Sequence, residues 1–210
     1  SLAATGASEM RFKNETNGTW SNYEAYSTDK SWTLLNTQGS RTVHVQYKDA
    51  AGNETSGSTS DAILLDTLVP TGLSISIDGG ATYATSTGVA LTMAATGASH
   101  MRFKNETSGS WSNYETYSTA KTWTLVNTQG TRTVYAQFKD AAGNQTNGST
   151  SDAITFDSVA PTSVSISIDD DATYTNSPAV TLTLAATGAS QMRFKNETSG
   201  TWSNYEIHST

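Results

Sequence analysis

The chain lacks several features that define common protein classes. It has no cysteine and only three prolines in 210 residues. The absence of cysteine excludes the disulfide frameworks with which small secreted domains often compensate for a thin hydrophobic core. The sequence contains no run of about 18 apolar residues, which is the length that a helix needs to cross a membrane. A thin-cored domain of this composition therefore needs another source of stability, and a bound metal or contacts between neighbouring domains are the candidates.

The charge and the motifs argue against two further classes. Twelve basic and nineteen acidic residues give a net charge of −7, which is the wrong sign for tracking a phosphate backbone, so we expect no nucleic-acid partner. The sequence contains no Gly-x-Ser-x-Gly elbow, phosphate-binding glycine loop or His-x-x-x-His spacing. His44, His100 and His208 are replaced by other residues in the other copies of the repeat described next. The expectation is a protein without enzymatic activity and without a catalytic residue.

The chain repeats itself with a period of 91 residues. The segment Met-Arg-Phe-Lys-Asn-Glu-Thr begins at Met10, Met101 and Met192, and residues 1–91 align with 92–182 without a gap at 62 of 91 identical positions. A period of this length corresponds to a small autonomous domain rather than to a solenoid unit. Residues 183–210 restate 92–119, and we expect the chain to be part of a longer repeat protein.

Alternation of apolar and polar residues predicts short β-strands throughout the repeat. Leu73, Ile75 and Ile77 alternate with serines, and similar period-2 patterns recur six or seven times per repeat, with no helical periodicity. Positions assigned to the inside exchange only like for like between copies, such as Tyr47 with Phe138. The predicted fold class is all-β: tandem immunoglobulin-like β-sandwich domains with a 91-residue repeat.

Two prolines mark the predicted domain boundaries. Pro70 and Pro161 each follow a short segment that begins with Asp66 or Asp157, and proline ends strands and stiffens linkers. The predicted domains are residues 1–68, a partial domain lacking its first strand; 69–159, a complete domain; and 160–210, a partial domain lacking its last strands.

Carboxylates recur at the predicted junctions. Asp66 lies in the first linker, Asp157 in the second, and the loop Asp140-Ala-Ala-Gly-Asn144 is expected at the end of the middle domain that receives the first linker. Asp66, Asp140 and Asn144 could converge there and offer the oxygen ligands that calcium prefers, so calcium is the candidate cofactor and Asp66, Asp140, Asn144 and Asp157 are the candidate ligands. In the alternative, Asp140 and Asn144 form a hydrogen-bonded turn around Gly143 while Asp66 ends a strand.

Two further sets of residues are candidates for contact with ligands or glycans. Trp111 and Tyr114 could form a sugar-stacking platform, or instead an aromatic clasp packed over one edge of the sandwich. Asn-x-Ser/Thr sequons lie in predicted turns and are candidate glycosylation sites: Asn14, Asn17, Asn53, Asn105, Asn144, Asn147 and Asn196.

Five motifs of the repeat are informative together: Met-Arg-Phe-Lys-Asn, Trp-Ser-Asn-Tyr-Glu, Lys-Thr-Trp-Thr-Leu, Thr-Val-Tyr-Ala-Gln-Phe-Lys-Asp-Ala-Ala-Gly-Asn and the Asp-x-x-x-Pro-Thr linker. Their combination resembles the bacterial immunoglobulin-like, fibronectin-III-like tandem repeats of large surface proteins and adhesins. The resemblance implies an extracellular module, and calcium at domain junctions is frequent in that grouping.

Three hypotheses of function follow. The first is a structural stalk, sheath or filament at the cell surface, with copies of the chain or neighbouring repeats as head-to-tail partners. The second is a carbohydrate- or receptor-binding adhesin region that contacts surface glycans. The third is a set of spacer domains in a secreted enzyme whose catalytic domain lies elsewhere.

Overall fold

The computed structural model describes residues 2–208, which form strands joined by turns. The strands are β1 (Glu9–Asn14), β2 (Glu24–Ala25), β3 (Gly39–Lys48), β4 (Thr59–Leu65), β5 (Thr71–Ile77), β6 (Tyr83–Ala84), β7 (Gly88–Thr96), β8 (His100–Asn105), β9 (Glu115–Thr116), β10 (Ala120–Thr124), β11 (Gly130–Lys139), β12 (Thr150–Phe156), β13 (Thr162–Ile168), β14 (Leu182–Thr187), β15 (Gln191–Met192) and β16 (Glu206–Ile207). A single 3₁₀ turn, Asp169–Asp171, is the only helical element in this range. None of the described helical structure is long and apolar enough to span a bilayer.

The middle unit, β5–β12, is a two-sheet sandwich. One sheet has the order β10-β7-β5, and the other has the order β6-β12-β11-β8-β9. All pairs are antiparallel except β12 with β6, which run parallel. This arrangement is an immunoglobulin-like β-sandwich, so the predicted all-β, immunoglobulin-like fold class is confirmed. The two-residue strand β9 lies at the edge of the five-stranded sheet, next to β8.

The core of the middle unit follows from the alternation in its strands. Residues i, i+2 and i+4 of a strand face the same side, so each strand contributes one apolar row to the space between the sheets. The buried residues Ile75, Ile77, Leu91 and Met93 of one sheet join Phe103, Val134, Phe138 and Ile154 of the other in one cluster. The inward assignments made from the sequence are correct in this unit.

The first unit consists of a single sheet, in the order β2-β1-β3-β4. Residues 2–68 contain no strand that corresponds to β5 or β7, and their segment that corresponds to β10 is not in a strand, so these residues lack more than the predicted first strand. Ile63 is therefore 61% exposed, whereas the same residue at the same repeat position in the middle unit, Ile154, is 2% exposed. Trp32, in the segment that corresponds to β10, is 36% exposed for the same reason.

The third unit consists of two hairpins, β13–β14 and β15–β16. Its predicted inward row is uncovered: Ile166 is 59% and Ile168 is 52% exposed, whereas their counterparts Ile75 and Ile77 are 9% and 1% exposed. The difference arises because the residues described here contain no counterpart of β11 or β12 to pack on this hairpin.

One turn has the same strained geometry in all three copies. Glu15, Glu106 and Glu197 have φ values of 57°, 55° and 57°, in the left-handed region that residues other than glycine rarely adopt. Three residues later the chain passes so close to itself that a Cβ on Gly109 would lie 1.8 Å from the Asn105 carbonyl oxygen. Glycine is therefore required at this position, which we call the turn glycine.

Candidate functional sites at a unit junction and on one sheet face

A loop of the middle unit holds the linker that leads into it. The Asp140 Oδ1 atom accepts a hydrogen bond from the Asn144 backbone N–H at 2.8 Å, and Oδ2 accepts one from Asn144 Nδ2 at 2.8 Å. Asn144 Nδ2 also donates to the backbone carbonyl of Asp66 at 3.0 Å. We call these three residues the junction clamp. The Asn144 amide thus ties the end of the first unit to the second.

The first unit contains the same loop without a linker against it. Asp49 Oδ1 accepts from the Asn53 backbone N–H at 2.8 Å, and Oδ2 accepts from Asn53 Nδ2 at 2.8 Å. No other acceptor for the Asn53 amide exists among the described residues. The loop therefore forms without a linker. In the middle unit, the asparagine of the same loop binds the linker in addition.

The electrostatics of the loop keep its aspartate ionised. The Asn144 side-chain hydrogen bond, helped by backbone N–H groups and opposed by burial, lowers the pKa of Asp140 from its usual 3.8. Asp49 has a lowered pKa with the same first cause, the hydrogen bond from the Asn53 side chain. The carboxylate is therefore a charged acceptor at neutral pH, which strengthens its bonds to the asparagine.

The candidate calcium ligands make other contacts in this arrangement. Both Asp140 oxygens accept from Asn144, and the asparagine directs its nitrogen rather than its oxygen at Asp66. Asp66 Oδ1 accepts from the Leu68 N–H at 3.0 Å, and Asp157 makes the same contact with Val159 in the second linker. Across residues 2–208 no three His, Cys, Asp or Glu side chains are grouped to hold an ion. The arrangement does not fit calcium, and calcium binding stays a prediction.

The outer face of the β8–β11 sheet carries an alternating row of cations and aromatic rings. Arg102 lies 5.1 Å from the Trp111 ring centre and 4.6 Å from that of Tyr114. Lys104 lies over Trp111 and Tyr135, and Lys139 lies 4.4 Å from Tyr114. We call this row the cation–aromatic ladder. Its order is Tyr135, Lys104, Trp111, Arg102, Tyr114, Lys139.

The ladder is anchored from beneath by a buried amide. Arg102 Nε and Nη2 donate to Gln137 Oε1 at 3.0 and 2.6 Å, and Gln137 Nε2 donates to the Thr146 carbonyl at 2.9 Å. Gln137 alternates with the buried residues Ala136 and Phe138 and lies on the outer face, yet it is only 8% exposed because the ladder covers it. Burial raises the pKa of the Tyr114 hydroxyl, and the Arg102 charge opposes that effect.

The ladder bears on the two alternatives for the aromatic pair. Trp111 and Tyr114 are half-buried, and cations stand over their rings at cation–π distance. The first unit repeats the contacts with Arg11 beside Trp20 and Tyr23. These contacts favour the clasp, and sugar binding stays a prediction. Sequence reasoning missed Arg102, Lys104 and Lys139, although their alternation with buried Met101, Phe103 and Phe138 placed them on this face.

The sequons fall into two groups. The amide groups of four asparagines already make hydrogen bonds: Asn14 and Asn105 each donate to a backbone carbonyl and accept from a tryptophan N–H, and Asn53 and Asn144 belong to the aspartate loops. Asn17, Asn147 and Asn196 are exposed and make no side-chain hydrogen bond within residues 2–208. Asn14 and Asn105 are the last residues of strands β1 and β8 rather than residues of a predicted turn, and glycosylation of the seven sequons stays a prediction.

Comparison with known proteins gives no family. No family model and no curated protein sequence matches this chain. Similar solved structures include the fibronectin(III)-like modules of CbhA from Clostridium thermocellum (10% identity, 74% of this chain, 80% of that chain, TM-score 0.42). Others are a β-1,2-glucanase from Parabacteroides distasonis (14%, 74% and 26%, TM-score 0.29) and the central fibronectin-III array of RIM-binding protein (10%, 99% and 88%, TM-score 0.28). By its own sheet order, the middle unit is an immunoglobulin-like, fibronectin-III-like β-sandwich.

Proposed function

We propose that the chain is a structural segment of an extracellular repeat protein, in which immunoglobulin-like units set the length and stiffness of a cell-surface stalk, sheath or filament. The observation that carries this proposal is the hydrogen bond from Asn144 Nδ2 to the Asp66 carbonyl, at 3.0 Å. It joins one unit to the next through a loop that the first and middle units both form.

The linker supports the same function. Strand β4 ends at Leu65 and β5 begins at Thr71, so only residues 66–70 connect the two units. Asp66 is held at one end of this segment by Asn144, and Pro70 is buried at the other. A five-residue segment fixed at both ends cannot behave as a flexible coil, and proline restricts it further. Such a linker transmits the orientation of one unit to its neighbour.

The location rests on the sequence motifs. Their resemblance to bacterial surface repeats supports an extracellular setting, where stalk units are exposed on the cell. Antibodies raised against residues 69–159 should label intact cells of the producing organism. Labelling that requires permeabilised cells would contradict the extracellular setting. It would not bear on the stiffness of the junction, which a separate experiment tests.

The stiffness is tested by a matched pair of substitutions in the full chain. Asn144→Ala removes the loop bond and the junction bond together, whereas Asn53→Ala removes only the equivalent loop bond. Small-angle X-ray scattering should show a broader distribution of dimensions for Asn144→Ala and an unchanged one for Asn53→Ala. Identical curves for the two variants would show that the clamp does not control the orientation of the units.

A further inference from the structure

The cation–aromatic ladder differs between the first two units in the carboxylates that face it. In the first unit, Glu54 Oε2 accepts from Arg11 Nη2 at 3.3 Å and from Gln46 Nε2 at 3.4 Å. Lys48 forms an ion pair with Glu9. Two of the three cations in this copy of the ladder are therefore paired with carboxylates of their own unit.

The middle unit lacks both of these carboxylates. Gln145 stands at the repeat position of Glu54, and His100 stands at that of Glu9. Within residues 2–208, no carboxylate forms an ion pair with the cations of the middle ladder. The chain as a whole has a net charge of −7, so this face is a local concentration of positive charge that attracts anions.

The main chain places residue 145 where it places residue 54. Lys139 forms a β-bridge with Gln145, as Lys48 does with Glu54. Burial raises the pKa of Tyr23, and Glu54 raises it further, as a carboxylate next to the hydroxyl does. The first unit thus shows where an anion sits on the ladder, namely beside the arginine and close to the tyrosine hydroxyl.

Two cations of the middle ladder have donor groups left for an external anion. Arg102 uses Nε and Nη2 for Gln137, and its Nη1 has no acceptor within residues 2–208. Lys139 Nζ lies 4.4 Å from the Tyr114 ring centre and donates to no acceptor in the described part of the chain. Because Tyr114 separates the two cations, the ladder offers two anion positions, one on each side of the ring.

The surroundings of these positions suit a sugar better than a peptide strand. Strands β8 and β11 are each paired on both sides, in the order β12-β11-β8-β9, so this face has no strand edge to which a peptide could add. Arg102 instead lies between two half-buried rings, Trp111 and Tyr114, at 5.1 and 4.6 Å. Such rings combine an apolar body with a polar tip, which matches the mixed surface of a sugar.

We propose that the ladder of the middle unit binds an acidic glycan, a polyuronate with carboxylates on neighbouring sugars. One carboxylate accepts from Arg102 in the place that Glu54 has in the first unit, and a second accepts from Lys139 in the place that Glu9 has. The first unit, which carries its own carboxylates, does not bind this ligand. The inference goes beyond the structural function proposed above and uses no contact of the junction clamp.

An NMR titration of the isotopically labelled full chain with tetragalacturonate tests the site. The backbone amide signals of Tyr114, Lys139 and Gln145 should shift and saturate. The fully methyl-esterified tetramer, which has the same sugars without charge, should leave them unchanged, and added salt should weaken the binding of the acid form because it screens the charges. No saturable shift at these residues, or equal shifts with the ester, overturns the proposal.

Gln145→Glu tests the mechanism, because it gives the middle unit the carboxylate of the first. The equivalent loop forms in the first unit with Glu54 in that position, so the change is compatible with the fold. The new carboxylate should occupy Arg102 and weaken tetragalacturonate binding by about tenfold or more. Thr92→Glu, on the exposed outer face of the opposite sheet, changes the net charge equally and should leave the affinity unchanged. Equal affinities of the two variants overturn the proposal.

Tetraglutamate with blocked ends distinguishes an acidic glycan from an acidic peptide. It has the same number of side-chain carboxylates, and we expect weaker binding because it lacks the sugar rings that contact Trp111 and Tyr114. Binding as tight as that of tetragalacturonate means that the ladder takes an acidic protein segment, which contradicts the proposal. The scattering comparison of Asn144→Ala with Asn53→Ala needs no ligand, so a failure of the glycan site and a failure of the stiff junction are distinguishable.

Discussion

One pair of identical residues allows a controlled test of the fold. Ile154 and Ile63 occupy the same position of the repeat, but Ile154 is 2% exposed in the middle unit and Ile63 is 61% exposed in the first. Changing either to alanine removes three carbon atoms. At about 0.8 kcal/mol for each buried CH₂, the transfer term alone is roughly 2.4 kcal/mol for Ile154, and the cavity raises the total toward about 2–5 kcal/mol. An exposed side chain such as Ile63 should cost less than about 0.5 kcal/mol.

Calorimetry of the full chain measures the difference. A loss of about 2–5 kcal/mol in a domain of this size lowers Tm by roughly 10 °C or more, so Ile154→Ala should shift the transition of the middle unit by that amount. Ile63→Ala should leave it within about 2 °C. Hydrogen exchange of the β11 amides assigns the transition to the middle unit. Equal shifts for the two variants would refute the inference that the β10-β7-β5 sheet, which has no counterpart in the first unit, accounts for the burial of Ile154.

Three further predictions concern the folding, the pH response and the metal. Residues 69–159 alone should melt cooperatively by circular dichroism, whereas 1–68 alone should not, because that fragment lacks one sheet; a cooperative melt of 1–68 contradicts this. Because the folded pKa of Asp140 lies below 3.8, its contribution to stability is complete above that value and is lost as pH falls through the folded pKa, so Asp140→Asn should flatten the acid limb of urea unfolding below pH 3.8. If calcium stiffens the junctions, scattering curves with and without chelator should differ, and Asp66→Ala with Asp140→Ala should abolish the difference; curves that agree from the start leave only the hydrogen-bonded loop.

The sequence predicted the strands well because their signal is local. Alternation in Leu73–Ile77 and Val134–Phe138 reports which side of a sheet each residue faces, and both rows are largely buried as expected. The same alternation could not predict exposure in the outer units. Burial of Ile166 or Trp32 depends on a second sheet supplied by residues far along the chain, and a local pattern contains no information about its presence.

The candidate sites were predicted less completely, for a different reason. The sequence placed Asp66, Asp140 and Asn144 near one junction, but a carboxylate and an amide can either bind a cation together or bind each other. Only the side-chain orientation distinguishes the two arrangements, and in this structure the Asn144 nitrogen points at the Asp66 carbonyl. The ladder went unrecognised because Arg102, Lys104 and Lys139 have the composition of an ordinary solvated face until their distances to the rings are known.

The turn glycine has a consequence for reading longer sequences of this kind. Any residue other than glycine would place its Cβ within 1.8 Å of an asparagine carbonyl oxygen at three positions, Gly18, Gly109 and Gly200. Neighbouring positions are free to drift, as Asn17 and Ser108 show, but a copy that lost this glycine would have to rebuild the turn. The geometry therefore fixes the motif Asn-Glu-Thr-x-Gly in each unit, and counting this motif along a longer gene should give the number of units without a structure.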